Sequence, residues 1–162
     1  MLHGDMRNVL SSFFICFCVG IFPFEQAIGE TFGIGVLLGE PTGISGNLML
    51  SRRSSIDMAV AYDLSGDENF ETHVDYLYRS PNSINLDGLL LGWFFGVGGK
   101  FRTHDGNGGS DDFRIGPRVP IGINHEFAEV PVEIFAEFAL IMNIIPATDV
   151  DFDTGIGARI YF

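Results

Sequence analysis

From Phe32 to Phe162 apolar residues alternate with polar residues or glycines at a period of two, the period of a strand whose faces meet different surroundings. The first predicted strand sets Phe32, Ile34, Val36 and Leu38 against Gly33, Gly35, Leu37 and Gly39, and Glu40-Pro41-Thr42-Gly43 supplies a tight turn. The second sets Ile44, Gly46, Leu48 and Leu50 against Ser45, Asn47, Met49 and Ser51, and the third Ile56, Met58, Val60 and Tyr62 against Asp57, Ala59, Ala61 and Asp63. In the fourth, Phe70, Thr72, Val74, Tyr76 and Tyr78 oppose Glu71, His73, Asp75 and Leu77. Ser80 to Gly88, with Pro81 and two asparagines, reads as a longer connection. The fifth strand, Leu89 to Arg102, puts Trp93, Phe95, Val97 and Phe101 opposite Phe94, Gly96, Gly98, Lys100 and Arg102. In the sixth, Phe113 to Asn124, Pro117 and Pro120 predict a bulge or local bend. The seventh, Val132 to Met142, follows a turn near Phe127 to Pro131, and Val150 to Phe162 is the last.

Eight strands joined by turns, with no amphipathic helix between them, predict an all-β fold. Its expected form is an eight-stranded antiparallel up-and-down transmembrane β-barrel, because closure leaves no unpaired edge. A soluble ligand-binding barrel would alternate too, but with its apolar face inward. Three features favour the inverse. The charged face is also the glycine-rich face, which suits a crowded concave wall. The apolar face carries too much bulk for so narrow a lumen. When the strands are threaded alternately up and down, Tyr62, Phe70, Phe101, Phe113 and Phe152 gather at one end of the apolar face. Phe32, Tyr78 and Phe162 gather at the other end, with Trp93 a little further in. Two aromatic belts around a band of Leu, Ile and Val are what the two interfaces of a bilayer select.

The lumen then holds a charge network of Asp57, Glu71, Asp75, Lys100, Arg102, Arg114, Arg118, Glu133, Glu137, Asp153 and Arg159, with Asp63 and Asp151 on the same face. Arg118 and Arg159 flank the strand that carries Glu133 and Glu137, and pairing them satisfies those charges at close quarters. A lumen so filled is a plug.

Composition sharpens this picture. A mean hydropathy of +0.26 accompanies a formal net charge of -12 over 162 residues, which fits segregation of the two classes onto opposite faces. With Lys+Arg only 9 against Asp+Glu 21, nucleic acid is excluded as a partner. Arg7, the apolar run Val9 to Phe24 and the small residues near Ala27-Ile28-Gly29 have the order of a signal peptide. Residues 1–29 are therefore expected to be a cleaved signal peptide and 30–162 the barrel. Both cysteines, Cys16 and Cys18, fall in the leader, so disulfide, thiolate and Cys-metal chemistry are not expected of the barrel.

The chain resembles an uncharacterised family of small bacterial outer-membrane β-barrels, similar in architecture to the transmembrane domain of outer membrane protein A and to outer membrane protein X. The resemblance is carried by Gly33-Ile-Gly-Val-Leu-Leu-Gly-Glu-Pro-Thr-Gly-Ile-Ser-Gly46, Arg114-Ile-Gly-Pro-Arg-Val-Pro-Ile-Gly122, Glu133-Ile-Phe-Ala-Glu137, Ile145-Pro-Ala-Thr148 and Gly155-Ile-Gly-Ala-Arg-Ile-Tyr-Phe162. The family pattern has a lysine where Asn47 stands here. Its terminal aromatic, Phe162, resembles the assembly signal of outer-membrane barrels. The resemblance implies a bacterial outer-membrane location, with outer-membrane lipids and the barrel-assembly machinery as partners.

Candidate chemistry is sparse. His73 shares a face with Glu71 and Asp75, the spacing of an oriented general base, but no nucleophile accompanies it. The loop Asp105 to Asp112 fails the helix-flanked calcium pattern, since Gly109 and Gly116 occupy ligand positions. The expected role is structural or interactive, without cofactor, metal or catalysis, and with an extracellular partner met at loops 40–43, 64–69, 103–112 and 143–149. A lipid-modifying enzyme built on His73 and a soluble periplasmic ligand-binding barrel are the alternatives.

Overall fold

The computed structural model describes residues 31–63, 69–105, 111–145 and 148–162. The expected leader and the tips of three loops, including most of the segment weighed for calcium, lie outside the described residues. Eight strands, β1 (Phe32–Glu40), β2 (Gly43–Ser51), β3 (Ser54–Asp63), β4 (Asn69–Leu86), β5 (Leu89–Asp105), β6 (Asp111–Glu126), β7 (Val132–Asn143) and β8 (Asp149–Tyr161), pair antiparallel in chain order. β8 returns to β1 from Gly33↔Tyr161 to Glu40↔Thr154, so the sheet is a closed barrel. The described termini meet there, where the Thr31 amide donates to the Phe162 carbonyl at 2.9 Å. Chain order places the β2–β3, β4–β5 and β6–β7 turns at that same end.

Alternation sorts the two faces as the period of two predicts. Ile34, Val36, Ile44, Val60, Val74, Val97, Val119, Ile121, Phe138, Phe152 and Ile156 are exposed on the outer wall, while Asp57, Glu71, Asp75, Arg118, Glu133 and Asp153 are buried inside. The barrel is therefore inverted relative to a soluble one: its apolar surface is outside and its charges are enclosed. Tyr78, Trp93 and Phe95 form a continuous aromatic cluster on the outer wall toward the terminal end, with ring centroids 5.5 to 6.1 Å apart. Phe138 and Phe152 stack at 5.5 Å toward the opposite end.

Two local features differ from the sequence reading. Ser80 to Leu86 is not a loop but a continuation of β4, paired with β5 as far as Leu86↔Leu89. The register moves between Ser80↔Trp93 and Ile84↔Leu91, so Pro81, Asn82 and Ser83 bulge against Gly92 alone, with Asn82 at φ 52°. Beyond the bulge, Asp87 and Gly88 take positive φ of 49° and 96°, the pair that a two-residue hairpin turn requires. Proline and asparagine mark a bulge here rather than the strand's end.

The prolines of β6 leave a gap in pairing on the β5 side and, on the β7 side, a gap across which the register moves by one. Pro117 and Pro120 are an odd number of residues apart, so their missing N–H donors face opposite neighbours. Pairing to β5 skips from Phe95↔Ile121 to Gly98↔Arg118 around Pro120, in unchanged register. Pairing to β7 stops at Arg118↔Ile141 and resumes past Pro117 as an isolated bridge, Ile115↔Ile145.

Inward glycines make room for inward rings. Gly122 lies opposite Phe94 and Gly157 opposite Phe135, and a Cβ at either glycine would fall against the facing ring. Those rings join Leu37, Ala59 and Leu77 in an apolar cluster inside the lumen. Outward Gly99 is open, its nearest neighbour the Gly116 carbonyl at 3.9 Å. Gly157→Val is expected to destabilise the folded barrel by about 1–3 kcal/mol, because the Phe135 ring must leave its position. Gly99→Ala is expected to stay within about 0.5 kcal/mol of the parent. Urea unfolding of both variants in lipid vesicles, followed by Trp93 fluorescence, measures the contrast; equal midpoints would refute the packing argument.

Candidate functional site: the charge-filled lumen

Alternation delivers the charges and closure brings them together. Arg118, in the middle of β6, is fully buried and reaches three strands at once. Its Nη1 pairs with Asp75 on β4, its Nη2 donates to Glu137 Oε1 on β7 at 2.7 Å, and its Nε donates to Asp153 Oδ2 on β8 at 3.3 Å. Planar guanidinium geometry suits this role, since five donors point outward in a fixed fork. Lys100 Nζ lies 2.5 Å from Asp153 Oδ1 and 2.6 Å from Glu71 Oε1, and Arg102 Nε donates to the other Glu71 oxygen.

A second group lies nearer the terminal end. Arg159 Nη2 is 2.7 Å from Asp57 Oδ1 and its Nη1 is 3.6 Å from Glu133 Oε2, while its Nε donates to Ser45 Oγ at 2.9 Å. The guanidinium also stacks 3.9 Å above the centre of the Phe135 ring, so one residue closes both an ion pair and a cation–π contact. Tyr161 donates to Glu133 Oε2 at 2.6 Å, and Asn47 Nδ2 donates to Asp57 Oδ1 at 2.8 Å. β2 thus serves the network with neutral amide and hydroxyl groups at Asn47 and Ser45.

The two groups meet at Asp57 and Asp75, which are direct cross-strand neighbours. Two carboxylates so placed repel unless each has its own cation. Arg159 serves Asp57 and Arg118 serves Asp75. His73 stands between them, with Nε2 3.9 Å from an oxygen of each. Its side chain is wholly buried, and neither ring nitrogen has a hydrogen-bond partner.

Of the residues expected in the lumen, Asp57, Glu71, Asp75, Lys100, Arg118, Glu133, Glu137, Asp153 and Arg159 are buried and in mutual contact. Arg102 is half-buried, with Nη1 3.8 Å from Asp151. Arg114 is a correction. It has the inward parity but faces Arg102 near the end of the wall remote from the termini, where it is exposed rather than enclosed. The side chain of Asp63 lies outside the description.

Sequence reading missed Arg79. It is buried, pairs with Glu133, and donates through Nη2 to Glu126 Oε1 at 3.2 Å. The signal is present, since Glu71, His73, Asp75 and Leu77 continue in step to Arg79, but Ser80 to Gly88 has the composition of a loop. His125 and Glu126, past the predicted end of the sixth strand at Asn124, are strand residues too, paired with Ile134 and Glu133.

No group of three His, Cys, Asp or Glu side chains placed to hold a metal ion occurs among the described residues. What the arrangement does chemically is hold opposite charges together and occupy space. Removing the hub should leave Asp75, Glu137 and Asp153 without their shared cation. Arg118→Ala is expected to cost roughly 3–5 kcal/mol, read as a lower thermal midpoint of the folded barrel in detergent. An unchanged midpoint would refute the network as a source of stability.

No family model matches the chain, and no functionally described protein matches it in sequence. Solved structures do. The N-terminal β-barrel domain of Pseudomonas aeruginosa OprF overlays with a TM-score of 0.57 at 14% identity, covering 81% of this chain and 95% of that domain. Neisserial surface protein A (NspA) overlays with a TM-score of 0.46 at 15% identity, covering 81% and 93%. At such identities the likeness to the OprF domain is one of fold: the chain is a closed eight-stranded antiparallel barrel of that architecture.

Proposed function

We propose that the protein is a small integral outer-membrane barrel whose lumen is closed by its own charged side chains, and that its role is structural or interactive rather than that of a general porin. The observation that carries this reading is the fully buried Arg118, held from three sides inside a wall whose exterior is apolar. The apolar exterior supports a lipid-facing wall over a water-exposed one, because about 25 cal/mol is lost per Å² of such surface left in water. The filled interior argues against a water-filled channel. Phe162, 70% exposed at the seam, is free to be read by an assembly machinery. With the termini in the periplasm, the turns after β1, β3, β5 and β7 face outward and are the surface for an extracellular partner. Their shortness favours small contacts over a large interface.

The lipid-modifying alternative is disfavoured by the place of His73. A general base must come within hydrogen-bond reach of its substrate, and this imidazole is enclosed between Asp57 and Asp75.

Separation of inner and outer membranes, followed by gel electrophoresis in SDS with and without boiling, tests location and closure together. The expected result is a detergent-requiring outer-membrane protein whose unboiled form migrates differently. Release by osmotic shock, with no heat shift, would overturn the membrane reading. In planar bilayers the folded protein is expected to show no steady ionic current, and a stable open conductance would overturn the closed lumen.

A further inference from the structure

The outer wall is not equally tall all round. At the terminal end the outward apolar rungs of β3 start only at Ile56, level with Tyr76 of β4. On β5 they run from Phe101 past Trp93 to Leu89, about 40 Å of strand and roughly 30 Å of height. The excess lies at the terminal end, where the β4–β5 hairpin runs well past β3, while β6 follows β5 as far as Leu90, whose carbonyl lies 2.8 Å from His125 Nδ1. The last β3 partner of β4 is Ser54↔Tyr78, and β6 ends with Glu126. The bulge at Pro81–Ser83 sets three residues against one, so it shifts register by two and preserves side-chain parity. Ile84, Leu86, Leu89 and Leu91 therefore remain on the same face as Tyr78 and Trp93. The first three are exposed, and from Tyr76 to Leu86 and Leu89 to Val97 that face carries no charged side chain.

We propose that this hairpin is not a periplasmic projection but a lipid-immersed extension of the barrel, seated in the periplasmic leaflet against phospholipid acyl chains. The inference rests on the outer-membrane reading above and adds where the membrane boundary falls. Height supports it. The stretch from Phe101 to Trp93 spans only about 20 Å, short of the roughly 25 Å apolar band that outer-membrane barrels present. The hairpin supplies the missing depth. Continuity supports it as well, since Leu91 and Leu89 extend the lipid-facing column of Phe95 and Val97 without a break. The Trp93 cluster then lies within the leaflet's depth, and the Asp87-Gly88 turn marks the water boundary on this side.

The chain has a single tryptophan, which makes depth measurable. In a Trp93→Phe background, Leu89→Trp and Val97→Trp give two proteins with one reporter each. Folded into phosphatidylcholine vesicles with bromine along the acyl chains, and checked for heat-dependent mobility, both are expected to lose fluorescence to bromolipid to the same extent and to resist quenching by aqueous iodide. Iodide quenching at position 89 with bromolipid quenching at 97 would overturn the hairpin proposal and leave the membrane barrel standing. Iodide quenching at both positions would overturn the membrane reading itself. Protection of position 89 from both quenchers would mean that a second copy covers the hairpin, which also overturns the lipid assignment.

Discussion

Taking a carboxylate or guanidinium out of water costs several kcal/mol per ion, and that cost is offset only when each charge finds close, well-oriented partners. A narrow barrel with its polar face inward must meet this condition at every inward charged position, and the arrangement inside this one follows from it. Six carboxylates (Asp57, Glu71, Asp75, Glu133, Glu137 and Asp153) are buried together with Arg79, Lys100, Arg118 and Arg159. None of these four cations serves a single partner. Each bridges at least two carboxylates, which is how fewer bases hold more acids. Arginine does most of this because its fork can address several strands from one position.

Filling the lumen with long side chains leaves little room, and the glycines answer that constraint. Phe94 and Phe135 lie over glycines on the neighbouring strand, so large and small residues alternate around the inner wall as they do along it. The same rings support the charges: Phe135 forms the floor beneath the Arg159 guanidinium. Stability of the polar network and packing of the apolar cluster are thus one problem solved by shared residues.

Strand number, strand order and the facing of nearly every side chain were legible in the sequence, because a period of two allows only one assignment of faces once lipid is placed outside. Pairing was less legible. Parity places Arg118, Asp75 and Asp153 in the lumen, but only register and tilt bring strands four, six and eight to one point. Reading proline as punctuation cost more. Pro81 hid the continuation of β4 and with it Arg79, while Pro117 and Pro120 sit in a strand that runs on past both. In each case the ladder lost a donor and the chain kept its direction, held at Pro81 by β5 and in β6 by neighbours on both sides. Arg114 shows the converse limit. Parity alone does not tell an enclosed lumen position from one near an open end.

The partners of the network are far apart in the chain. Lys100 and Asp153 are separated by 53 residues, Arg79 and Tyr161 by 82, and Arg159 and Ser45 by 114, the last pair meeting only across the β8–β1 seam. Nearly all of the buried charge is therefore neutralised by non-local contacts, which form late because long loops must close first. A partly assembled sheet leaves those ions without their partners. Neutralisation of the charges and closure of the ring are thus one event, gated by the seam between β1 and β8.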